Sequence, residues 1–469
     1  MVPRAGLSLL SFLALTTTTV APSFGTPHLV VDKGWADGFV GIGAASPTRL
    51  VLGDKLLSTS AGASWTPTTC GGRGGFLSRC PGPGKSLCDQ MIVFGDFEPR
   101  LKQGQTGTNF TMGKPITLES DQSGKKVSCQ PSEGGPIRFV GLPPIVTAKF
   151  SVGGLRFGGA SSVFLGDGGK HRYLASVIVT LASNGAAASG ATSVLAMASA
   201  DGKLWEYLAP IALASDFPAS QEGPNEMDLA WLPGDTTIIA VLRLDGGDGP
   251  KTHPYVDYHR SVSTDRGSSW TKAAPIGAGC ARPRLLQLGG TMLLSGGRMR
   301  NMNTSDVILW SSTDNGETWA VHSISAAHNV GMVDPALRYD AKVNSTTYGP
   351  RETNSYTSLV ALNSTSAVVT YDMILTKKTN TSKLSTHCVG WPIADNETKA
   401  GCEEGGDALH DGGTYHYNTG RGTARSVCAR LPGADKNCKA GCECCRTASD
   451  KTALEPHTFA MAVTFVSNE

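Results

Sequence analysis

Charge is scarce in this 469-residue chain: Asp, Glu, Lys and Arg make up 17% of it, and the formal net charge is +2. A balance so close to neutral argues against a nucleic-acid partner, which needs a basic surface, and gives no strongly acidic one. Long amphipathic helical runs are hard to find, which argues against a largely helical fold. Beyond the N-terminus no segment approaches the ~20 apolar residues that span a bilayer, so no transmembrane segment is expected. The C-terminus has no apolar tail for a lipid anchor.

What the chain has in plenty is turn and strand material. It holds 57 Gly and 26 Pro, with many Thr, Ser and Val. Glycine and proline punctuate turns, and β-branched residues between them read as strands, so the expected class is all-β. A chain of this length can bury a substantial core as one domain, here residues 26–469. Residues 1–25 open on Met-Val-Pro-Arg, continue almost wholly apolar from Ala5 to Leu15 and end on small residues. That order fits a cleaved signal peptide and a secreted or lumenal protein.

Two further features suit the secretory route. Asn-x-Ser/Thr acceptors stand at Asn109, Asn303, Asn344, Asn363, Asn380 and Asn396. The 12 Cys are even in number and fall in two loop-like groups, with Cys280 alone between them. Cys70, Cys80, Cys88 and Cys129 lie in a Gly- and Pro-rich stretch over 66–135. Cys388, Cys402, Cys428, Cys438, Cys442, Cys444 and Cys445 lie in a polar insertion over 376–455. In an oxidising compartment these read as disulfides rather than zinc ligands, because the usual paired spacers are missing.

One stretch organises the rest. Ser263-Thr264-Asp265-Arg266-Gly267-Ser268-Ser269-Trp270 recurs as Ser312-Thr313-Asp314-Asn315-Gly316-Glu317-Thr318-Trp319. Each copy reads as a tight turn between antiparallel strands. The Asp carboxylate accepts backbone amides, the Gly supplies a positive φ, and the Trp packs back onto a sheet. Looser copies begin at Ser58, where Ser60 replaces the Asp, and at Ser199, where one residue is missing. The last two intervals between copies are 64 and 49 residues, close to one four-stranded unit each, which is the repeat of a β-propeller.

The Ser-x-Asp-x-Gly-x-x-Trp motif resembles the Asp box, or BNR repeat, of the sialidase superfamily. The resemblance implies a six-bladed β-propeller with disulfide-rich loop insertions, and it is strongest over roughly residues 197–375. It also implies a site. Glu226 opens a strand, and Arg243 ends the next one after a Pro-Gly-Asp turn. Arg298 ends a later hairpin, and Tyr356 begins Ser355-Tyr356-Thr357-Ser358-Leu359. By the resemblance Tyr356 is the nucleophile, Glu226 its base, and Arg243 and Arg298 two of three arginines that grip a sugar carboxylate. Arg300, then Arg282 and Arg284, compete with Arg298 for that place. A Phe/Tyr-Arg-Ile-Pro motif for the first arginine is missing, leaving Arg138 and Arg156. The acid/base Asp has no clear position, leaving Asp167 and Asp96.

The chemistry is self-consistent. Sialic acid carries a carboxylate on its reacting carbon, which would repel a carboxylate nucleophile. A neutral Tyr activated by a Glu avoids this, and a planar guanidinium fork suits the sugar's carboxylate. The expected activity is therefore exo-α-sialidase on sialylated glycoproteins, glycolipids or oligosaccharides, with no metal or other cofactor. Transfer to a second sugar would use the same residues. Each residue also has a plainer reading: a surface Glu, loop arginines, a rim tyrosine. A carbohydrate-binding propeller without catalysis, or a BNR scaffold for protein partners, stays open on sequence alone.

Overall fold

The computed structural model describes residues 21–32, 42–46, 49–52, 56–58, 60–67, 76–78, 91–94, 110–111, 115–120, 127–131, 137–142, 156–166, 168–180, 191–220, 222–234, 236–244, 256–279, 281–297, 306–339, 348–353, 356–378, 386–389, 444–447 and 452–465. These residues are mostly β and form several antiparallel sheets, most of them built from strands that follow one another in the chain.

The first sheet runs Ile42–Ser46, Arg49–Leu52, Leu56–Ser58, Thr66–Pro67. The second takes Phe76–Ser78, Met91–Phe94, Pro115–Ser120 and Val127–Pro131, so part of the Gly- and Pro-rich stretch over 66–135 is regular sheet. The third is Arg156–Phe164, Tyr173–Thr180, Thr192–Ser199 and Leu204–Ala212, with Arg138–Val140 and Phe110–Thr111 added at the outer edge. The fourth is Met227–Trp231, Ile238–Leu242, His259–Ser263 and Ala274–Pro275. The fifth is Ala281–Leu288, Thr291–Gly297, Val307–Ser312 and Ala320–Ser323. In the sixth, Thr357–Ala361 is the opening strand and pairs with Ser366–Lys378, which further along also takes Tyr348–Glu352. The opening strands of consecutive sheets touch, and that of the sixth touches that of the first, so they follow one another in a closed cycle.

The two ends of the chain meet in the sixth sheet. The last strand, Thr452–Thr464, pairs along its whole length with Ser366–Lys378. Its other edge takes Ser23–Phe24 and His28–Val31. N-terminal residues thus join the sheet that holds the last strand. This arrangement covers an edge that would otherwise present unpaired backbone. Ser23 and Phe24 fall inside the stretch read as a leader, yet here they pair with Thr464 and Val463. The stretch over 376–455 read as an insertion is regular sheet at both ends, where Thr376–Lys378 pairs with Thr452–Leu454. Between them the described part is a two-stranded ribbon, Thr386–Val389 against Cys444–Thr447, with Cys388 opposite Cys445 in register.

Packing explains why the strands read as unbroken apolar runs rather than as alternation. In Ile238-Ile239-Ala240-Val241-Leu242, residues 238, 240 and 242 pack with Leu174, Val194 and Ala196 of the preceding sheet. Ile239 and Val241 pack with Met292, Leu294 and Trp310 of the following one. A strand buried on both faces has no polar side to show. The fifth and sixth sheets share a core in the same way, through Leu293 and Leu309 against Val369, Tyr371 and Phe459.

The recurrent turns join third to fourth strands. In each full copy the serine hydroxyl accepts the glycine amide (Gly267 to Ser263 and Gly316 to Ser312, both 2.8 Å). The carboxylate accepts the amide four residues on, at 2.8 Å for Ser269 to Asp265 and 2.9 Å for Thr318 to Asp314. Two residues, not the glycine alone, take positive φ: Arg266 with Gly267, and Asn315 with Gly316. In the first copy Ser60 Oγ accepts the Ser64 amide at 2.8 Å, standing in for the Asp. In the short copy the residue left out is the one before the glycine, and Asp201 still accepts two amides. Trp270 and Trp319 pack into the cores between sheets. The run after the second copy does not stay extended: Ser323 caps a helix, Ile324–Gly331, by accepting the Ala326 amide.

Candidate active site

Register places both ends of the hairpins. Ile238 pairs with Ser263, and Met292 with Ser312, so the recurrent turns stand at one end of their sheets. Met227 pairs with Leu242, and Ala281 with Gly297, at the opposite end. Glu226, Arg282 and Tyr356 precede or begin the opening strands of the fourth, fifth and sixth sheets, so adjacency of those strands gathers all three at that second end.

There the Tyr356 hydroxyl donates a 2.5 Å hydrogen bond to Glu226 Oε1. Glu226 Oε2 accepts from Arg243 at 2.8 Å. The hairpin makes this inevitable once it forms: the Arg243 amide donates to the Glu226 carbonyl at 2.8 Å, which sets the two residues side by side. Arg243 is 4% exposed, and a second carboxylate, Glu222, stands 3.4 Å from its other terminal nitrogen. Charge-assisted bonds of this length are the strong kind, and together they leave the carboxylate little freedom to turn.

Two arginines from the intervening strand complete the cluster. The Arg282 guanidinium lies over the Tyr356 ring, 5.7 Å from its centroid. Arg284, buried, directs its Nε at the Thr357 carbonyl 3.4 Å away, beside the strand that follows Tyr356. Thr357 is further held by a 2.6 Å hydroxyl bond with Ser295. Asp228, also buried, accepts the Leu285 amide at 2.7 Å and so ties the fourth sheet to the fifth.

These neighbours set the protonation states. Burial pushes the Glu226 carboxyl upward, but Arg243 and Arg282, with the bonds from Tyr356 and Arg243, outweigh it and hold the group below the ordinary range. Burial drives the Tyr356 phenol well above its usual value, and the Glu226 charge adds to this. Burial and the neighbouring Arg282 pull Arg284 down to about 9, with Asp228 and Glu226 opposing. At neutral pH the pair is thus a protonated phenol bonded to an ionised carboxylate, the arrangement in which a general base can take a proton from a hydroxyl nucleophile.

The structure brings Glu226, Arg243 and Tyr356 together and keeps Arg138 away. Arg138 is exposed on a strand pairing with the outer strand Leu204–Ala212 of the third sheet. Its neighbours Ile137 and Phe139 take the core positions, so alternation turns Arg138 outward. Four strand spacings of ~4.8 Å separate it from the opening strand of its sheet, which removes it from the arginine cluster. Arg156 begins that opening strand. Arg298, Arg300, Asp167 and Asp96 lie outside the described residues. Of the glycosylation acceptors, Asn363 is described: it is exposed, in the turn before Ser366–Lys378, while Asn109, Asn303, Asn344, Asn380 and Asn396 lie outside the described residues. Among the described residues no group of His, Cys, Asp and Glu could hold a metal ion, and no helix is long and apolar enough to cross a membrane.

Reading the sequence ranked Arg282 and Arg284 low and missed Glu222 and Asp228. The usable signal was position: Arg282-Pro283-Arg284 begins an opening strand, the same place that Glu226 and Tyr356 occupy in the flanking sheets.

No protein-family model matches the chain, and no curated protein matches it. Distant structural similarity extends to sialidases and to other glycoside hydrolases. A Dyadobacter fermentans protein of unknown function is 16% identical, with 75% of this chain and 94% of that one covered and a TM-score of 0.44. Penicillium chrysogenum α-L-arabinanase is 11% identical with the same coverages and TM-score. Trypanosoma rangeli sialidase is 14% identical over 76% of this chain and 53% of that one, at a TM-score of 0.35.

Proposed function

We propose that the chain is an exo-α-sialidase that works through Tyr356 on a six-bladed β-propeller. The observation that carries this reading is the Tyr356–Glu226 hydrogen bond with Arg243 on the carboxylate's second oxygen. The six-bladed architecture is supported by the closed cycle of opening strands and by Asp-box turns at one end of the sheets.

The reaction retains configuration. Glu226 Oε1 takes the phenol proton as Tyr356 Oη attacks the anomeric carbon. A bond forms between them and the glycosidic C–O bond breaks. The leaving oxygen takes a proton from an acid, for which Asp167 and Asp96 remain the proposed residues. Water, giving a proton to the group that acted as acid, then attacks the same carbon. The Tyr356 Oη–carbon bond breaks and Glu226 returns the proton to the phenol. A sugar hydroxyl in the place of water gives a transfer product. The phenol suits a substrate with a carboxylate on the reacting carbon, because it approaches that charge as a neutral group. Arg243 and Arg298 are proposed to hold the sugar carboxylate, with Arg282 nearby. Cleavage of sialylated glycoproteins, glycolipids or oligosaccharides fits a secreted protein with a processed leader, disulfides and N-linked glycans.

A fluorogenic sialoside tests the reading. Release of fluorophore by the wild-type chain and its loss in Tyr356→Phe is the expected outcome, and no release by folded wild-type protein contradicts it. A second reading, a sugar-binding propeller without catalysis, is favoured by one observation: Arg138 is far from the cluster and so supplies no third arginine. It predicts binding of free sialic acid, abolished by Arg243→Ala, with no cleavage.

A further inference from the structure

The strand Ala281–Leu288 lies between the strands that begin after Glu226 and Tyr356, and its first turn of chain is irregular. Register slips between Ala281 and Arg284, and Pro283 has no N–H to give to a ladder. Irregularities of this kind re-aim side chains. Here the result is two buried guanidiniums within one site, Arg282 and Arg284. Holding like charges together out of water is costly unless something nearby uses them. Arg284 has a structural partner in the Thr357 carbonyl and the charge of Asp228 beside it. Arg282 faces the flat side of Tyr356 at 5.7 Å, inside the range of a cation–π contact.

Where charge moves in this site gives Arg282 a use. When the Tyr356 proton passes to Glu226 Oε1, negative charge leaves the carboxylate and arrives on the phenol. Net charge in the cluster does not change. Arg243 is bonded to the carboxylate, where the charge starts. Arg282 is over the ring, where the charge ends. We propose that Arg282 is a positioning residue for Tyr356, holding its ring by the face and stabilising the phenolate formed as Glu226 takes the proton. The role rests on Tyr356 being the nucleophile. It concerns the groups that face that ring: Glu226 and Arg243 from the fourth sheet, and Arg282 and Arg284 from the fifth. Preorganised charge of this kind acts without reorganisation at the moment of reaction.

The test needs no substrate. Tyr356 is replaced site-specifically in the full chain by 3,5-difluorotyrosine, whose fluorines bring the phenol into an accessible pH range, and its ionisation is followed by ultraviolet absorbance. Arg282→Gln and Arg282→Met are each made in that background and checked by thermal unfolding. Both variants are expected to raise the midpoint by about one pH unit, a tenfold change in acidity. Met matches the volume of the side chain and removes the cost of burying its charge, so it supplies a folded variant where Gln does not. An unchanged or lower midpoint in either folded variant overturns the proposal. A chain that cleaves no sialoside still gives this titration, so failure of the sialidase reading and failure of the Arg282 role are read separately.

Discussion

Tyr356 and Glu226 stand 130 residues apart in the chain and share one hydrogen bond of 2.5 Å, donated by the phenol to the carboxylate. Nothing local makes that contact. It exists because Glu226 and Tyr356 each sit just ahead of an opening strand, and because both of those strands lie against the opening strand of the fifth sheet.

Under the proposed mechanism, removing the phenolic oxygen removes the nucleophile and leaves the ring in place. Tyr356→Phe is expected to lower kcat by roughly a thousandfold or more, with little change in thermal unfolding. Steady-state kinetics on a fluorogenic sialoside beside a melting curve checks both halves.

Glu226→Gln keeps size and loses the base of the proposed mechanism. A drop in kcat of about a hundred- to ten-thousandfold is the expected size for a general base. Because Arg243 and Arg282 outweigh burial and hold the Glu226 carboxyl below its ordinary value, the acid limb of kcat/KM in the wild type should lie below the ordinary carboxylate range. Stability follows the same sign. A lowered folded value stabilises the protein above the unfolded value, and the contribution is lost as pH falls through the folded one. A pH–rate profile together with urea unfolding at several acidic pH values measures both.

Arg243 is the cation between two carboxylates, Glu226 and Glu222. Arg243→Ala should therefore cost stability, about 3–5 kcal/mol if the pair behaves like other buried ones broken from one side. It should also move the Glu226 limb to higher pH. Urea midpoints in wild type and variant decide the first point, and an unchanged midpoint would count against a structural role for the contact.

The Asp-box turns stand at the end of the sheets away from Tyr356, so damage there should spare chemistry. Asp314 accepts bonds from the Ser312 and Thr318 hydroxyls and the Thr318 amide. Asp314→Ala is expected to cost about 1–3 kcal/mol with kcat unchanged. A fall in kcat at full occupancy of the folded state would mean that the two ends are coupled.

The turns were legible in the sequence because their chemistry is local: Ser312, Asp314 and Gly316 satisfy one another within five residues. Glu226 and Arg243 were legible for a similar reason, since a hairpin of known length sets them opposite each other. Arg282 was not. Its value comes from lying between two sheets, and in the chain it looks like any basic residue near a proline. Arg138 misled because a short Ile-Arg-Phe-Val run shows alternation without showing which strand of a sheet it occupies. The unbroken Ile238–Leu242 run hid its period for the opposite reason, being buried on both faces.

The most direct measurement of the central claim is mass spectrometry of the chain after reaction with a sialosyl substrate analogue fluorinated beside the anomeric carbon, which slows release of a covalent intermediate. The account predicts a sialosyl group on the peptide containing Tyr356, absent in Tyr356→Phe. A modified carboxylate, or turnover of the sialoside with no modification of Tyr356, would contradict it.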